Sequence, residues 1–201
     1  LGVEVTPDGL VRKPHLLENP HVAFEEIEHL YRTLPEIVFR QEVLAEFIER
    51  RGGVFRNIDE ILTAKRQESG DAQHRYVIGV DWGRTTDATV FAVLDVTLKQ
   101  ICYIDRFSGV GYQTQHDRLV SLWERFNRPP VLAEYNAMGG PIVERLQAEG
   151  LPVAAFTTTH QSKAQIIQAL TLAIEQRELS MIYDCALREE FLVFEESPLA
   201  S

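Results

Sequence analysis

The chain has 201 residues, of which 45% are hydrophobic and 25% charged, with 12 Gly, 9 Pro and 2 Cys. This composition is typical of a globular protein and excludes collagen-like, intrinsically disordered and disulfide-scaffold proteins. The apolar runs are far shorter than the roughly 20 residues that a membrane-spanning helix needs, and the N-terminal LGVEVTPDGL predicts no secretory signal. Cys102 and Cys185 lack CxxC spacing, so we expect small buried residues in a reducing compartment.

The net charge is −10 at neutral pH, so the field of the whole protein repels polyanions such as nucleic acids. This does not exclude a nucleic-acid enzyme that works with divalent cations. Such a site must concentrate carboxylates, and the bound cations then reverse the local field.

The first 70 residues are predicted to form a helical arm. Apolar residues at helical spacing predict one helix over residues 22–33 and a second over residues 39–51, which a Gly-Gly pair ends. The polar stretch QESGDAQHR then marks a boundary. We therefore expect an arm over residues 1–70 and the main domain over residues 71–201.

After the boundary the hydrophobic period changes from helical spacing to alternation and short solid apolar runs. Three adjacent strands predict an antiparallel meander, and helices and further strands then alternate. Ser162 followed by Gln165 predicts a capping box that opens a long helix, with Ile166, Ile167 and Ile174 on its buried face. The predicted strands cover residues 76–80, 88–96, 100–107, 131–134 and 153–156, and the other predicted helices cover residues 113–126, 141–149 and 186–194.

The order of these elements predicts an α/β fold with a mixed sheet, in which parallel strands extend the antiparallel meander and helices flank the sheet. This order fits the ribonuclease H-like fold. It also fits half of an actin-like ATPase, and the topology alone does not separate the two.

Two acidic residues stand at the ends of predicted buried strands. Asp81 follows YVIGV and precedes Trp82 and Gly83, and Glu134 follows the run VLA. Each has a simpler interpretation: Asp81 as a cap of the following turn, and Glu134 as a partner of some arginine. Because both strands are predicted to be central and adjacent, the two acids are expected at the same edge of the sheet.

Convergent carboxylates are typical ligands of hard divalent cations such as Mg²⁺ and Mn²⁺. Two such ions about 4 Å apart promote phosphodiester cleavage by activating water and stabilising the leaving oxygen. Asp87, across a tight turn from Asp81, can reach the same ions, and a role as a cap of that turn is at least as good an interpretation. The histidines lack ligand spacing such as HExxH, which argues against a zinc site.

Three stretches resemble the nuclease domain of the large terminase subunit of tailed bacteriophages. They are GVDWGRTTDATVFAVLD, VLAEYNAMGGPIVERLQAEGLPV and FTTTHQSKAQIIQALTLAIEQREL, and AEYNAMGGPIVERL is the most specific part. The arm sequence LPEIVFRQEVLAEFIERRGGVFR resembles the segment that joins the packaging ATPase to the nuclease in that family. The resemblance covers roughly residues 30–196.

The resemblance implies a ribonuclease H-like endonuclease that cuts concatemeric viral DNA during genome packaging, with little sequence specificity. It implies two Mg²⁺ or Mn²⁺ ions as cofactors, with Asp81 bridging both ions, Glu134 holding one, and Asp87 as an additional acid. The family's third metal-binding acid follows a further strand, and we expect it beyond residue 201, so that the chain is a C-terminally truncated nuclease domain.

The resemblance also implies contacts with double-stranded DNA. Lys163 matches a basic position near the phosphate backbone, Arg84 lies in the turn after Asp81, and Trp82 stands beside the expected metals. The simpler interpretations are a solvated Lys163, an ion pair between Arg84 and Asp87, and a core position for Trp82.

The implied partners are the ATPase domain of the same polypeptide, the viral portal and the small terminase subunit, in the host cytoplasm and without a membrane. No GxxxxGK[ST] phosphate loop occurs in the sequence.

Three other interpretations stay open at this point. An actin-like nucleotide-binding module would explain DWGRTT as a phosphate loop and would bind ATP. A Holliday-junction resolvase of the same fold would cut four-way junctions selectively. A non-catalytic docking domain would tolerate Asp81→Asn without loss.

Overall fold

The computed structural model describes residues 4–5, 11–12, 23–46, 53–83, 87–135 and 139–194. The strands are β1 (Glu4–Val5), β2 (Val11–Arg12), β3 (Tyr76–Asp81), β4 (Thr89–Asp95), β5 (Gln100–Phe107), β6 (Val131–Glu134), β7 (Val153–Phe156) and β8 (Ser180–Met181). The helices are α1 (Phe24–Thr33), α2 (Glu36–Val38), α3 (Ile58–Ile61), α4 (Tyr112–Arg125), α5 (Gly139–Ala148), α6 (His160–Glu175) and α7 (Cys185–Val193), and a π-helical turn (Phe39–Val43) follows α2.

Six strands form one mixed sheet in the order β7-β6-β3-β4-β5-β8. Strands β3, β4 and β5 are antiparallel neighbours, whereas β6 is parallel to β3, β7 to β6 and β8 to β5. The predicted mixed sheet, with an antiparallel meander extended by parallel strands and flanked by helices, is therefore confirmed.

One core cluster, which we call the closed side, joins the sheet to helices α4 and α5. Residues at alternate positions of β3 and β4 contribute, as the period of a strand requires. Trp82 and Phe107 pack edge to face against Phe91, with ring centroids 5.8 and 5.2 Å away. The other buried members include Ile78, Val80, Val93, Leu119, Leu122, Phe126, Val131, Val143 and Leu146.

A second cluster, which we call the open side, lies under helices α6 and α7. Its buried members are Phe55, Ile58, Ile61, Ile174 and Met181. Ile174 confirms the predicted buried face of α6, but Ile166, predicted on that face, is 48% exposed. The helices therefore cover this part of the molecule incompletely.

The predicted arm differs from the structure in two ways. Helix α1 is confirmed. Where the second helix was predicted, residues 39–43 form the π-helical turn after α2 and Ala45 takes a left-handed φ of 50°, and residues 47–51 lie outside the described residues. The predicted boundary near residue 70 stays a prediction. Residues 53–64 pack with the main domain, since Phe55, Ile58 and Ile61 enter the open-side cluster and Ala64 N–H donates to the Met181 carbonyl at 3.0 Å.

The start of α6 lies before the predicted one. Thr159, not Ser162, is the N-cap: its hydroxyl accepts a hydrogen bond from Ser162 N–H, while Ser162 Oγ accepts one from Thr159 N–H at 2.8 Å. The capping box is real, but Ser162 occupies its third helical position because Thr159 supplies an equally good cap one turn earlier.

The two cysteines differ in exposure. Cys102 is buried as predicted, whereas Cys185 is exposed, contrary to the prediction, because it is the first residue of the surface helix α7. Among the described residues, the helices are too short or too polar to cross a membrane.

Candidate metal and nucleic-acid site

The register of the central strands brings Asp81 and Glu134 together. Strands β3 and β6 run parallel, and Val80 pairs with Ala133 in their register. The next residue of each strand is an acid, and residues in register have side chains on the same face of a sheet. The strand pairing therefore confirms the prediction that both acids lie at the same edge of the sheet, where the parallel strands β3 and β6 end.

The two carboxyl groups are close enough to perturb each other. Loss of solvation raises the pKa of Asp81 above its ordinary value, and the charge of Glu134 and a side-chain hydrogen bond with it raise it further. Two carboxyl groups this close to each other supply the oxygen ligands that a hard divalent cation prefers, so the donor set fits such a cation.

The acid pair lies in an open groove of about 670 Å³ between the sheet and helices α6 and α7. Its apolar walls include Leu132, Phe156 and Ile166, and its polar lining is Asp81, Glu134, Thr158, Lys163 and Glu190. Glu190 makes an ion pair with Arg106 at 2.9 Å. Since three of the four ionisable groups in the lining are acids, the groove repels phosphate until cations neutralise it.

Lys163 is the basic group in the lining of this groove. It lies in the first turn of α6, where its backbone N–H donates to the Thr159 carbonyl at 2.9 Å. Its side chain is exposed and makes no ion pair with any residue that the structure describes. The structure therefore brings the predicted phosphate contact into the same groove as the predicted metal ligands.

The prediction that Trp82 contacts DNA is contradicted by its burial. Trp82 is 3% exposed and packs edge to face on Phe91 in the closed side, so its ring is not available for stacking on a base. The strand places Trp82 on the opposite face from Asp81, because side chains alternate along it. Its simpler interpretation as a core aromatic is the correct one.

The structure does not test the predicted roles of two further residues. Arg84 lies outside the described residues. Asp87 is exposed, and within the described part of the chain no group of three or more His, Cys, Asp or Glu side chains is arranged to hold a metal ion. The roles of Asp87 as an additional acid and of Arg84 at a phosphate stay predictions.

Thr158 is a site residue that the sequence analysis missed. Its hydroxyl donates a hydrogen bond to Glu134 Oε1, with the two oxygens 2.6 Å apart. Strand β7 is parallel to β6, and Phe156 pairs with Glu134 in their register. A hydroxyl shortly after a parallel neighbouring strand was the available signal, but the run TTT offered three such hydroxyls with nothing to distinguish them.

The sequence of the chain is similar to those of two known proteins. No model of a protein family matches the chain. Over 170 residues it is 29% identical to the large terminase subunits of Thermus phage G20c and Thermus virus P23-45, a match that covers 80% of this chain and 35% of each relative. The chain therefore spans about a third of the length of these curated relatives.

Solved structures give the same result. The large terminase nuclease of the thermophilic phage G20c with bound magnesium superimposes with a TM-score of 0.69 at 26% identity, over 76% of this chain and 85% of that one. The nuclease domain of the large terminase of Thermus phage P74-26 has a TM-score of 0.65 at 26% identity, over 74% of this chain and 81% of that one. The G20c nuclease is also known with bound cobalt and with bound zinc. The predicted resemblance to the terminase nuclease domain is confirmed.

Proposed function

We propose that this chain, whose sequence and fold resemble the nuclease domain of large terminase subunits, is a divalent-metal-dependent endodeoxyribonuclease. The observation that carries the proposal is the placement of Asp81 and Glu134 side by side in register, in an open groove that Lys163 also lines. The similar G20c nuclease is known with bound magnesium, cobalt or zinc, which supports a cation site in this fold.

In this proposal Asp81 and Glu134 would hold the divalent cations, two Mg²⁺ or Mn²⁺ ions. Cations bound there would supply positive charge for the scissile phosphate and would lower the pKa of the attacking water. Asp87 is the candidate for an additional ligand.

We propose that the protein's own groups hold the DNA. Lys163, in the first turn of α6, lines the groove and is the proposed contact to a phosphate of the backbone. Because such contacts carry no sequence information, little sequence specificity and a strong dependence on salt are expected.

The biological role proposed is cleavage of concatemeric viral DNA during genome packaging. It rests on the similarity to phage terminase large subunits, of which this chain spans about a third. The proposed partners are double-stranded DNA, the ATPase domain of the same polypeptide, the viral portal and the small terminase subunit, in the host cytoplasm.

Cleavage of supercoiled plasmid tests the proposal. We expect nicking and linearisation in Mg²⁺ or Mn²⁺, none in EDTA, and loss to the EDTA level in Asp81→Asn and in Glu134→Gln. Glu124→Gln is the matched control, because Glu124 is exposed on α4 and its partner is Arg128, outside the groove.

Metal-dependent cleavage that survives both substitutions would contradict the assignment of the two acids. Cleavage confined to four-way junctions would favour a resolvase instead. Absence of cleavage in every metal would contradict the nuclease activity of this chain.

A further inference from the structure

The loop between β7 and α6 holds one of the two proposed metal ligands in place. Thr158 lies in this loop, and its hydroxyl donates to Glu134 Oε1 at 2.6 Å. Glu134 therefore has Thr158 as one neighbour and Asp81 as another.

The loop itself is fixed by a network of hydrogen bonds. Ser162 Oγ accepts from Thr159 N–H at 2.8 Å and donates to the Thr157 carbonyl at 3.3 Å, and Ser162 N–H donates to Thr159 Oγ1 at 3.1 Å. These bonds tie the residues on both sides of Thr158 to the first turn of α6. These hydrogen bonds restrict the position of the Thr158 hydroxyl, as is needed of a group that orients a ligand.

The same helix turn carries Lys163, whose backbone N–H donates to the Thr159 carbonyl. The N-terminal cap of α6 therefore fixes two groups relative to the acid pair, one toward Glu134 and one in the groove where phosphate is expected. The sequence TTTHQSK combines both in a single turn.

We infer that Thr158 is a positioning residue, which orients the Glu134 carboxylate for a divalent cation. The inference rests on the proposed function and extends it to a residue that touches neither cation nor DNA in the proposal. A hydrogen-bond donor to a metal-ligating carboxylate restricts its orientation. Removal of such partners of metal ligands typically costs about 10- to 100-fold in metal affinity or activity.

Binding of Mn²⁺ followed by titration calorimetry tests the inference without DNA. We expect Thr158→Val, which keeps the branched shape but removes the hydroxyl, to raise the Kd for Mn²⁺ by about tenfold. Thr158→Ser keeps the hydroxyl and should restore binding. Thr157→Val is the matched control, because the structure gives the neighbouring Thr157 hydroxyl no hydrogen bond with a described residue.

Plasmid cleavage adds a second readout. Thr158→Val should need about tenfold more Mn²⁺ for half-maximal cleavage and should recover at saturating Mn²⁺, whereas a purely structural role of Thr158 would change the melting temperature and leave the Mn²⁺ requirement unchanged.

Failure of the inference and failure of the proposed function would give different results in these assays. If Glu134→Gln abolishes Mn²⁺ binding while Thr158→Val binds like the wild type, the inference is wrong and the proposed function stands. If the wild type and Glu134→Gln are alike in binding no Mn²⁺, the proposed function fails and the inference falls with it. Equal losses in Thr158→Val and Thr158→Ser would also overturn it, because the hydroxyl would not be the cause.

Discussion

The two sides of the sheet differ in how completely they are covered. The closed side is packed by α4 and α5 around fully buried aromatic and aliphatic residues such as Phe91. The open side is covered by α6 and α7 only in part, so that Leu132 on the sheet and Ile166 on α6 are 45% and 48% exposed. The closed side supplies stability, and the open side leaves room for a substrate beside the acid pair.

This comparison explains why the acids lie where they do. Along β3, Ile78 and Val80 belong to the closed-side cluster, whereas Gly79 and Asp81 line the groove. A carboxylate in place of Ile78 or Val80 would be buried in this cluster, at a cost of several kcal/mol unless it gained hydrogen-bond partners. The alternation of the strand thus places chemistry on one face and packing on the other.

The largest expected effect comes from removing a closed-side aromatic. Phe91→Ala deletes a fully buried ring that contacts Trp82 and Phe107, and we expect a loss of about 3–5 kcal/mol in the free energy of unfolding. Urea denaturation measures it. A loss below about 1 kcal/mol would show that the closed side does not supply the stability.

Gly139→Ala is expected to affect both the closed side and the acid pair. A Cβ at Gly139 would lie 2.4 Å from the Glu134 carbonyl oxygen and 2.4 Å from Trp82 Cδ1, so the end of β6 or the indole must move. Overpacking of this kind typically costs about 1–3 kcal/mol, and the shift displaces Glu134. We expect both a lower melting temperature and slower metal-dependent cleavage.

The matched control is Gly111→Ala, because no atom lies within 4 Å of a Cβ there. If Gly139→Ala and Gly111→Ala gave the same melting temperature and the same cleavage rate, the close approach of α5 to the acid pair would affect neither stability nor cleavage.

Asp95, which is fully buried at the end of β4, is expected to contribute to the loss of stability in acid. Burial raises the pKa of Asp95, but hydrogen bonds from Gln67, Leu98 N–H and His74 outweigh it, so the pKa lies below its ordinary value. The folded protein binds the Asp95 proton more weakly than the unfolded chain does. The stability that ionised Asp95 contributes is therefore complete above the unfolded pKa of about 3.9 and is lost as the pH falls through the folded pKa.

Asp95→Asn tests this dependence. We expect the variant to be less stable than the wild type at neutral pH and the difference to shrink below about pH 4, as measured by urea denaturation across the range. A difference that did not change with pH would mean that the charge of Asp95 is not what its hydrogen bonds stabilise.

The smallest effect is expected on the open side. Ile166→Ala removes a half-exposed side chain from α6, and we expect a loss below about 1 kcal/mol in the free energy of unfolding because little apolar surface is uncovered. A loss as large as that of Phe91→Ala would mean that the open side is covered in solution, which would contradict the comparison.

The strands were predictable because their signals are local. The alternation of apolar residues gave the bounds of β5, β6 and β7 without error, and the adjacency of β3 and β6 followed from the order of elements. The acid pair followed in turn, since Asp81 and Glu134 each end a strand.

Other features depend on tertiary contacts that a linear pattern does not contain. Helical spacing predicted Ile166 to be buried, but the covering of α6 decides its exposure. Thr158 acquires its role only through the parallel pairing of β7 with β6.

The central claim is that Asp81 and Glu134 hold divalent cations. Anomalous diffraction from crystals grown with Mn²⁺ tests it most directly, because it locates manganese independently of activity. We expect a manganese peak at about 2.0–2.2 Å from carboxylate oxygens of both residues, with the direct hydrogen bond between the two acids replaced by the ion. Manganese bound only elsewhere, with that hydrogen bond intact, would contradict it.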